Sequence, residues 1–151
     1  MKMSLSIDIE ASTQAVWDVI ADIENAADRI RGINSLEVLE PATGPSIVGL
    51  KWKETRTFAG RDATETMWIT AAEEPSYYDT RAESHGSIYQ TRMSVDPTSD
   101  GAGSRLTMTF EGTPQTFGAK LLWALTGWMA TKPMKKALTE DLEDIKKAAE
   151  A

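Results

Sequence analysis

Cysteine is absent from the 151 residues. That excludes disulfides, thiolate metal sites and cysteine nucleophiles together, and it suits a reducing compartment. Histidine occurs once, as His85. One imidazole without a thiol is a poor ligand set for a transition-metal site, so no metal is expected. Long apolar runs are missing too, since the longest, Leu121 to Thr131, is too short to span a bilayer. Met1-Lys2-Met3-Ser4 passes straight into alternating residues and lacks the apolar core of a secretion signal, so a cytoplasmic location is expected. Asp100-Gly101-Ala102-Gly103 lacks the Lys-Ser/Thr ending and the following helix of a phosphate loop and reads as a hairpin turn. No cofactor is expected. No repeat, linker or low-complexity run divides the chain, and residues 1–151 read as one domain.

What is present is globular in texture. The hydrophobic fraction is 41% and the charged fraction 26%, and a chain of this length buries enough apolar surface to fold without staples. Sixteen basic residues against twenty-three acidic ones give a net charge of −7. Such a surface repels phosphate backbones, and no basic run interleaved with aromatics offsets this, so no nucleic-acid partner is expected.

Met3, Leu5, Ile7 and Ile9 alternate with polar residues, which predicts a first strand with one buried face. Ser12 or Thr13 then caps a helix carrying Val16, Ile20 and Ile23 at helical spacing, and a second short helix is expected from Glu24 to Arg31, stopped by Gly32. From Ile33 the period returns to two. Successive same-face sets are Leu50-Trp52-Glu54-Arg56-Phe58, Glu65-Met67-Ile69, Tyr78-Thr80-Ala82-Ser84, Tyr89-Thr91-Met93-Val95 and Leu106-Met108-Phe110. Ala59-Gly60-Arg61-Asp62, Glu73 to Ser76, Gly86 and Asp100 to Gly103 separate them, a rhythm that implies an antiparallel meander. After Pro114 the spacing is helical to the end, with Met134, Leu138, Leu142 and Ile145 on one face. Pro133 is expected to kink or divide this helix, and Glu143 and Lys147 to pair on its outside.

The fold class is therefore α+β, a curved antiparallel sheet of about seven strands around a long C-terminal helix, with two short helices after strand 1. A long antiparallel sheet twists and curls, and one helix cannot fill the hollow, so an internal apolar cavity is expected. The order of elements and four segments, Ala11 to Ile23 (ASTQAVWDVIADI), Val48 to Glu54 (VGLKWKE), Ile69 to Pro75 (ITAAEEP) and Leu138 to Lys147 (LTEDLEDIKK), resemble the START-like (SRPBCC) superfamily. That superfamily includes polyketide cyclases/dehydrases, coenzyme-Q-binding proteins and pollen-allergen-type lipid carriers. The resemblance implies a helix-grip fold, a hydrophobic cavity and no tightly bound metal, and it carries no shared catalytic residue. The proline usual near Thr13 or Gln14 in the family is absent, which touches the first helix cap and not the pocket.

Site candidates come from parity. Glu54, Arg56 and Glu65 share a face with large apolar residues, where a charge is costly unless paired or watered. Either they pair near the sheet rim, or a bulge flips the local parity, or they line the cavity as candidate catalytic or ligand-anchoring groups. Tyr78 and Tyr89 combine an apolar body with one polar tip and serve equally as pocket residues or as core tyrosines bonded to backbone. Trp52, Phe58, Met67, Ile69, Met93, Met108, Phe110 and Trp123 complete the expected ligand-binding set, with Glu54, Glu65, Arg56 and Tyr89 as catalytic candidates. Trp68 falls on the opposite face. His85 reads as a surface residue near a turn, because Ser84 beside it points the other way.

Residues 120–132 are apolar on more than one face, with lysines at both ends. Either they close the grip against the first two helices, or they make a homodimer or transient membrane contact involving Trp123 and Trp128. Three functions stay open. The first is binding or transport of a hydrophobic small molecule such as a lipid, quinone or polyketide. The second is a polyketide cyclase, aromatase or dehydratase using the cavity carboxylates. The third is a protein-interaction or stress-regulatory module.

Overall fold

A computed structural model of the chain describes residues 1–58 and 60–151, the side chains of Trp128 and Ala130 excepted. Seven strands form a single antiparallel sheet: β1 (Lys2–Ile9), β2 (Ile33–Glu40), β3 (Lys51–Phe58), β4 (Arg61–Glu73), β5 (Tyr77–Ser84), β6 (Ser87–Pro97) and β7 (Ser104–Pro114). Their spatial order is β1-β7-β6-β5-β4-β3-β2. Strands β2 to β7 are a meander, and β1 joins beside β7, from Lys2 opposite Glu111 to Ile9 opposite Ser104. Chain neighbours β1 and β2 thus stand at opposite edges. The chain between them crosses the sheet and carries α1 (Thr13–Ile20), a 3-10 turn (Ile23–Asn25) and α2 (Ala26–Arg29). A 34-residue helix, α3 (Phe117–Glu150), ends the fold and packs against β1, β7, α1 and α2.

Ser12 is the cap of α1, its Oγ accepting from the Ala15 N–H at 3.1 Å. The 3.6-residue spacing buries Val16, Trp17 and Ile20 against Ile9, Val95 and Leu106 from the sheet and Leu142 and Ile145 from α3. The turn between β5 and β6 has only two central residues, His85 (φ 49°) and Gly86 (φ 75°), the pair of positive φ values that suits a tight hairpin. His85 is exposed there, as its neighbours implied.

Four local expectations are corrected. The second helix is shorter than Glu24 to Arg31 and ends before Ile30, whose backbone is extended. Gly32 does not stop it; a Cβ on Gly32 would stand 3.1 Å from Arg56 Nη1, so the glycine makes room for a charged group on β3. Pro133 does not divide α3, which runs through it. Pro133 and Met129, whose carbonyl loses its helical partner, are both exposed to water, while Met134, Leu138, Leu142 and Ile145 hold the following turns inward. Glu143 pairs with Arg31 at 3.2 Å instead of with Lys147, and the one-turn pair on this helix is Lys146–Glu150 at 2.6 Å. Ala59, first residue of the expected β3–β4 turn, lies outside the described residues; the hairpin closes with Phe58 opposite Arg61.

Candidate functional site

The inner face of the sheet and α3 enclose a cavity of about 460 Å³, within the range of small-molecule sites. Period-two alternation builds its wall. Trp52, Glu54, Arg56 and Phe58 line it from β3, Ala63, Glu65 and Met67 from β4, and Tyr78, Thr80 and Ala82 from β5. Tyr89, Thr91 and Met93 follow from β6, and Met108 and Phe110 from β7. The register of β3 on β4 is continuous from Lys51 to Phe58, so no bulge turns the charged residues outward. Glu54 and Glu65 are direct cross-strand partners on this inner face. On the outer face, Lys51 lies 5.8 Å from the ring centre of its cross-strand neighbour Trp68.

Three charged side chains form a cluster in the wall, with Glu54 and Asp141 buried and Arg56 partly exposed. Arg56 Nη1 donates to Asp141 Oδ1 at 3.0 Å, and Nη2 donates to Glu54 Oε1 at 3.4 Å. Burial pushes both carboxyls above their ordinary values, and the guanidinium only partly offsets this. Burial also works against the charge of Arg56, but Glu54 and Asp141 outweigh it, and the guanidinium is held above its usual value. The cluster has one cation for two carboxylates, so a proton is drawn to it. Arg29, also on the wall, is already paired with Asp22 at 2.9 Å.

The aromatic residues divide by role. The Tyr78 hydroxyl donates to the Ile20 carbonyl at 3.2 Å, and its ring meets Trp17 edge-on. Tyr78 is therefore both a cavity wall and a core tyrosine, and burial pushes its phenol far up. Tyr89 stacks on Phe110, with ring centres 5.8 Å apart, and lies 6.3 Å from the ring of Trp123. Burial pushes its phenol up as well.

Two expected members stand off the cavity wall. Ile69 is fully buried in the core that α1 covers, one step beyond Met67 on the same face. Trp123 lies behind Tyr89, close over Gly112, where a Cβ would come within 2.5 Å of its ring. Within the chain itself residues 120–132 bury only one face, so they do not close the grip on several sides, and contact with a membrane or a second copy stays open. Leu121, Leu122, Leu125 and Met129 are exposed, because the helix meets the sheet along a single stripe through Ala119, Trp123 and Gly127. Trp128 lies outside the described side chains.

Asp141, Arg29 and the wall residues Val19, Ile20, Ile23, Ile30, Ile33, Leu36, Met134 and Leu138 were not among the sequence candidates. For Asp141 a signal existed. It stands three residues after Leu138 and four before Ile145, hence on the buried face of α3. Burial falls from Trp52 and Glu54 to half-buried Phe58 along β3, and from Ile69 to half-buried Glu65 and exposed Ala63 along β4. The cavity therefore opens toward the β3–β4 hairpin. The start of α3 lies at that same end, where Thr116 abuts Gly86.

Residues 1–150 match the family described as polyketide cyclase / dehydrase and lipid transport. The chain belongs to this family. Its likeness to solved structures is one of fold. The Zhui aromatase/cyclase from a Streptomyces species superposes with a TM-score of 0.82 at 18% identity, over 99% of this chain and 93% of that one. A Thermus thermophilus protein gives 0.81 at 15% identity, over 99% and 97%. A START superfamily protein from Mycobacterium smegmatis gives 0.66 at 15% identity, over 95% and 98%. No curated protein matches the sequence. The seven-stranded sheet expected from the alternation and the long final helix expected from the helical spacing are both present. The helix-grip fold is the same in all three neighbours.

Proposed function

We propose that the protein binds and carries an apolar small molecule of the lipid, quinone or polyketide kind, with a polar end that is neutral or donates hydrogen bonds. The observation that carries this reading is the cavity of about 460 Å³, walled by Trp52, Met67, Met93, Met108 and Phe110 and polar at one cluster. Methionines make such a wall adaptable. Arg56 and Arg29 are already neutralised by Glu54, Asp141 and Asp22, so a ligand carboxylate would meet no uncompensated positive charge there. A cytoplasmic location goes with this reading, and residues 120–132 are the stretch we propose for contact with a membrane or a second copy. Native mass spectrometry of freshly purified protein tests it, and a discrete mass increment lost on denaturation is expected. A native mass equal to the denatured one, together with no uptake of added apolar probes, would remove the reading.

A second reading is a cyclase, aromatase or dehydratase of a polyketide-type chain. It is favoured by one observation, a buried carboxyl held above its usual range on Glu54, directly across the strand pair from Glu65. Either carboxylate would take a proton from carbon next to a carbonyl and return it to the departing hydroxyl. Tyr89, on the wall and not committed to an ion pair, would steady the enolate better than Arg56. Full turnover of a polyketide-type chain by both Glu54→Gln and Glu65→Gln would end this reading. A filled interior would favour a protein-interaction or stress-regulatory role, and the cavity does not add to that reading.

A further inference from the structure

We propose that the first half of α3 is a docking surface for an anionic phospholipid membrane. Phe117 (82% exposed), Leu121 (51%), Leu122 (58%), Leu125 (65%) and Met129 (60%) stand in water. At helical spacing they fall within a band of about 140° on one side of the helix. Trp123 and Met134 lie on the opposite side, toward the sheet and the cavity. A helix that is apolar outside as well as inside has a second partner to meet.

Charge identifies that partner. The chain as a whole carries −7, yet no acidic residue occurs between Glu111 and Glu140, a stretch holding Lys120, Lys132, Lys135 and Lys136. None of these lysines has an ion-pair partner among the described residues. At 100° per residue Lys132, Lys135 and Lys136 continue the apolar band toward the C-terminus. They border a shallow open groove on the outside of the molecule, where Arg31 is already paired with Glu143 and Asp144 and the three lysines face Glu140. An apolar band followed by lysines matches a bilayer surface, where side chains enter the acyl boundary and cations meet anionic headgroups. A second copy matches it poorly. Antiparallel pairing of two such helices sets the lysines of each beside Phe117 to Leu121 of the other, with no carboxylate to receive them.

The band adjoins the open end of the cavity, so docking would bring that opening to the bilayer from which an apolar ligand is drawn. Docking itself does not depend on the cavity reading, because it requires no ligand. The test is flotation of the full chain with vesicles of phosphatidylcholine alone and of phosphatidylcholine mixed with phosphatidylglycerol. Wild-type protein is expected to float with the mixed vesicles and to be released by salt. Leu121→Glu with Leu125→Glu, and separately Lys132→Glu with Lys135→Glu and Lys136→Glu, are expected to lower partitioning by about tenfold or more. These side chains are exposed, so unaltered thermal melting is expected to accompany the loss. Absence of wild-type flotation overturns the proposal, as does flotation undiminished in both variants. Sedimentation showing a dimer that the leucine variant dissolves, with no vesicle binding, assigns the band to a second copy instead. A mass increment in the native protein is read separately, so either idea can fail alone.

Discussion

Arg56 carries one positive charge between two buried carboxylates, and that imbalance is the most consequential residue-level feature of the protein. Burial pushes Glu54 above its ordinary 4.5 and Asp141 above its ordinary 3.8. Folded protein therefore holds these protons more tightly than unfolded chain. Their contribution to stability is fully present below the ordinary values and is lost as pH rises through the folded ones. Arg56→Met removes the only cation of the cluster and raises both carboxyls further. We expect a loss of about 3 kcal/mol at neutral pH, the cost of breaking a buried pair, and a smaller loss in mild acid where the carboxyls are protonated. Urea unfolding at the two pH values checks this, and equal losses at both would mean that the carboxyls titrate as they do in water. Parity alone placed Glu54, Arg56 and Glu65 on the inner face. It missed Asp141, because a carboxylate inside the charged run TEDLEDIKK reads as part of a solvated helix face.

Among the elements, α3 does two jobs with its two halves. The second half is core, with Leu142 and Ile145 buried under the sheet and α1. The first half touches the sheet mainly through one aromatic contact, Trp123 over Gly112 and Tyr89. Gly112 is small because the indole occupies the space of its missing Cβ, 2.5 Å away. Gly112→Val should therefore displace Trp123 and lift the first half of the helix, at about 1–3 kcal/mol of overpacking. Denaturant unfolding gives the stability change, and apolar-probe uptake is expected to rise in rate. An unchanged rate would mean that this half of α3 does not limit access. The helix itself was legible from its 3.6-residue spacing. Which of its apolar residues were covered was not, because a helix apolar on several sides gives no clue to the face that meets the sheet.

For the molecule as a whole, the engaged arginines and surplus carboxylates predict selectivity by ligand charge. A neutral apolar probe should bind tighter than a fatty-acid carboxylate of similar size by about tenfold or more, since the anion would enter beside unneutralised acid groups. Displacement of a fluorescent apolar probe measures the ratio. Tighter binding of the carboxylate would mean that Arg56 or Arg29 exchanges its protein partner for the ligand. At this scale the alternation of Trp52, Met67, Tyr78, Met93 and Met108 already implied a curled sheet with one apolar face, because the period of a strand is local and side chains alternate along it except at bulges such as the one between Ile69 and Ala71. The same alternation fixed which strand residues face inward. Only the tertiary structure decided that Asp141 reaches Arg56, 85 residues away in sequence, that Ile69 is core and Trp123 stands behind Tyr89, and that the apolar band of α3 remains uncovered. Those outcomes depend on where a helix lands on a curved surface, a matter of packing between distant segments that no local period encodes.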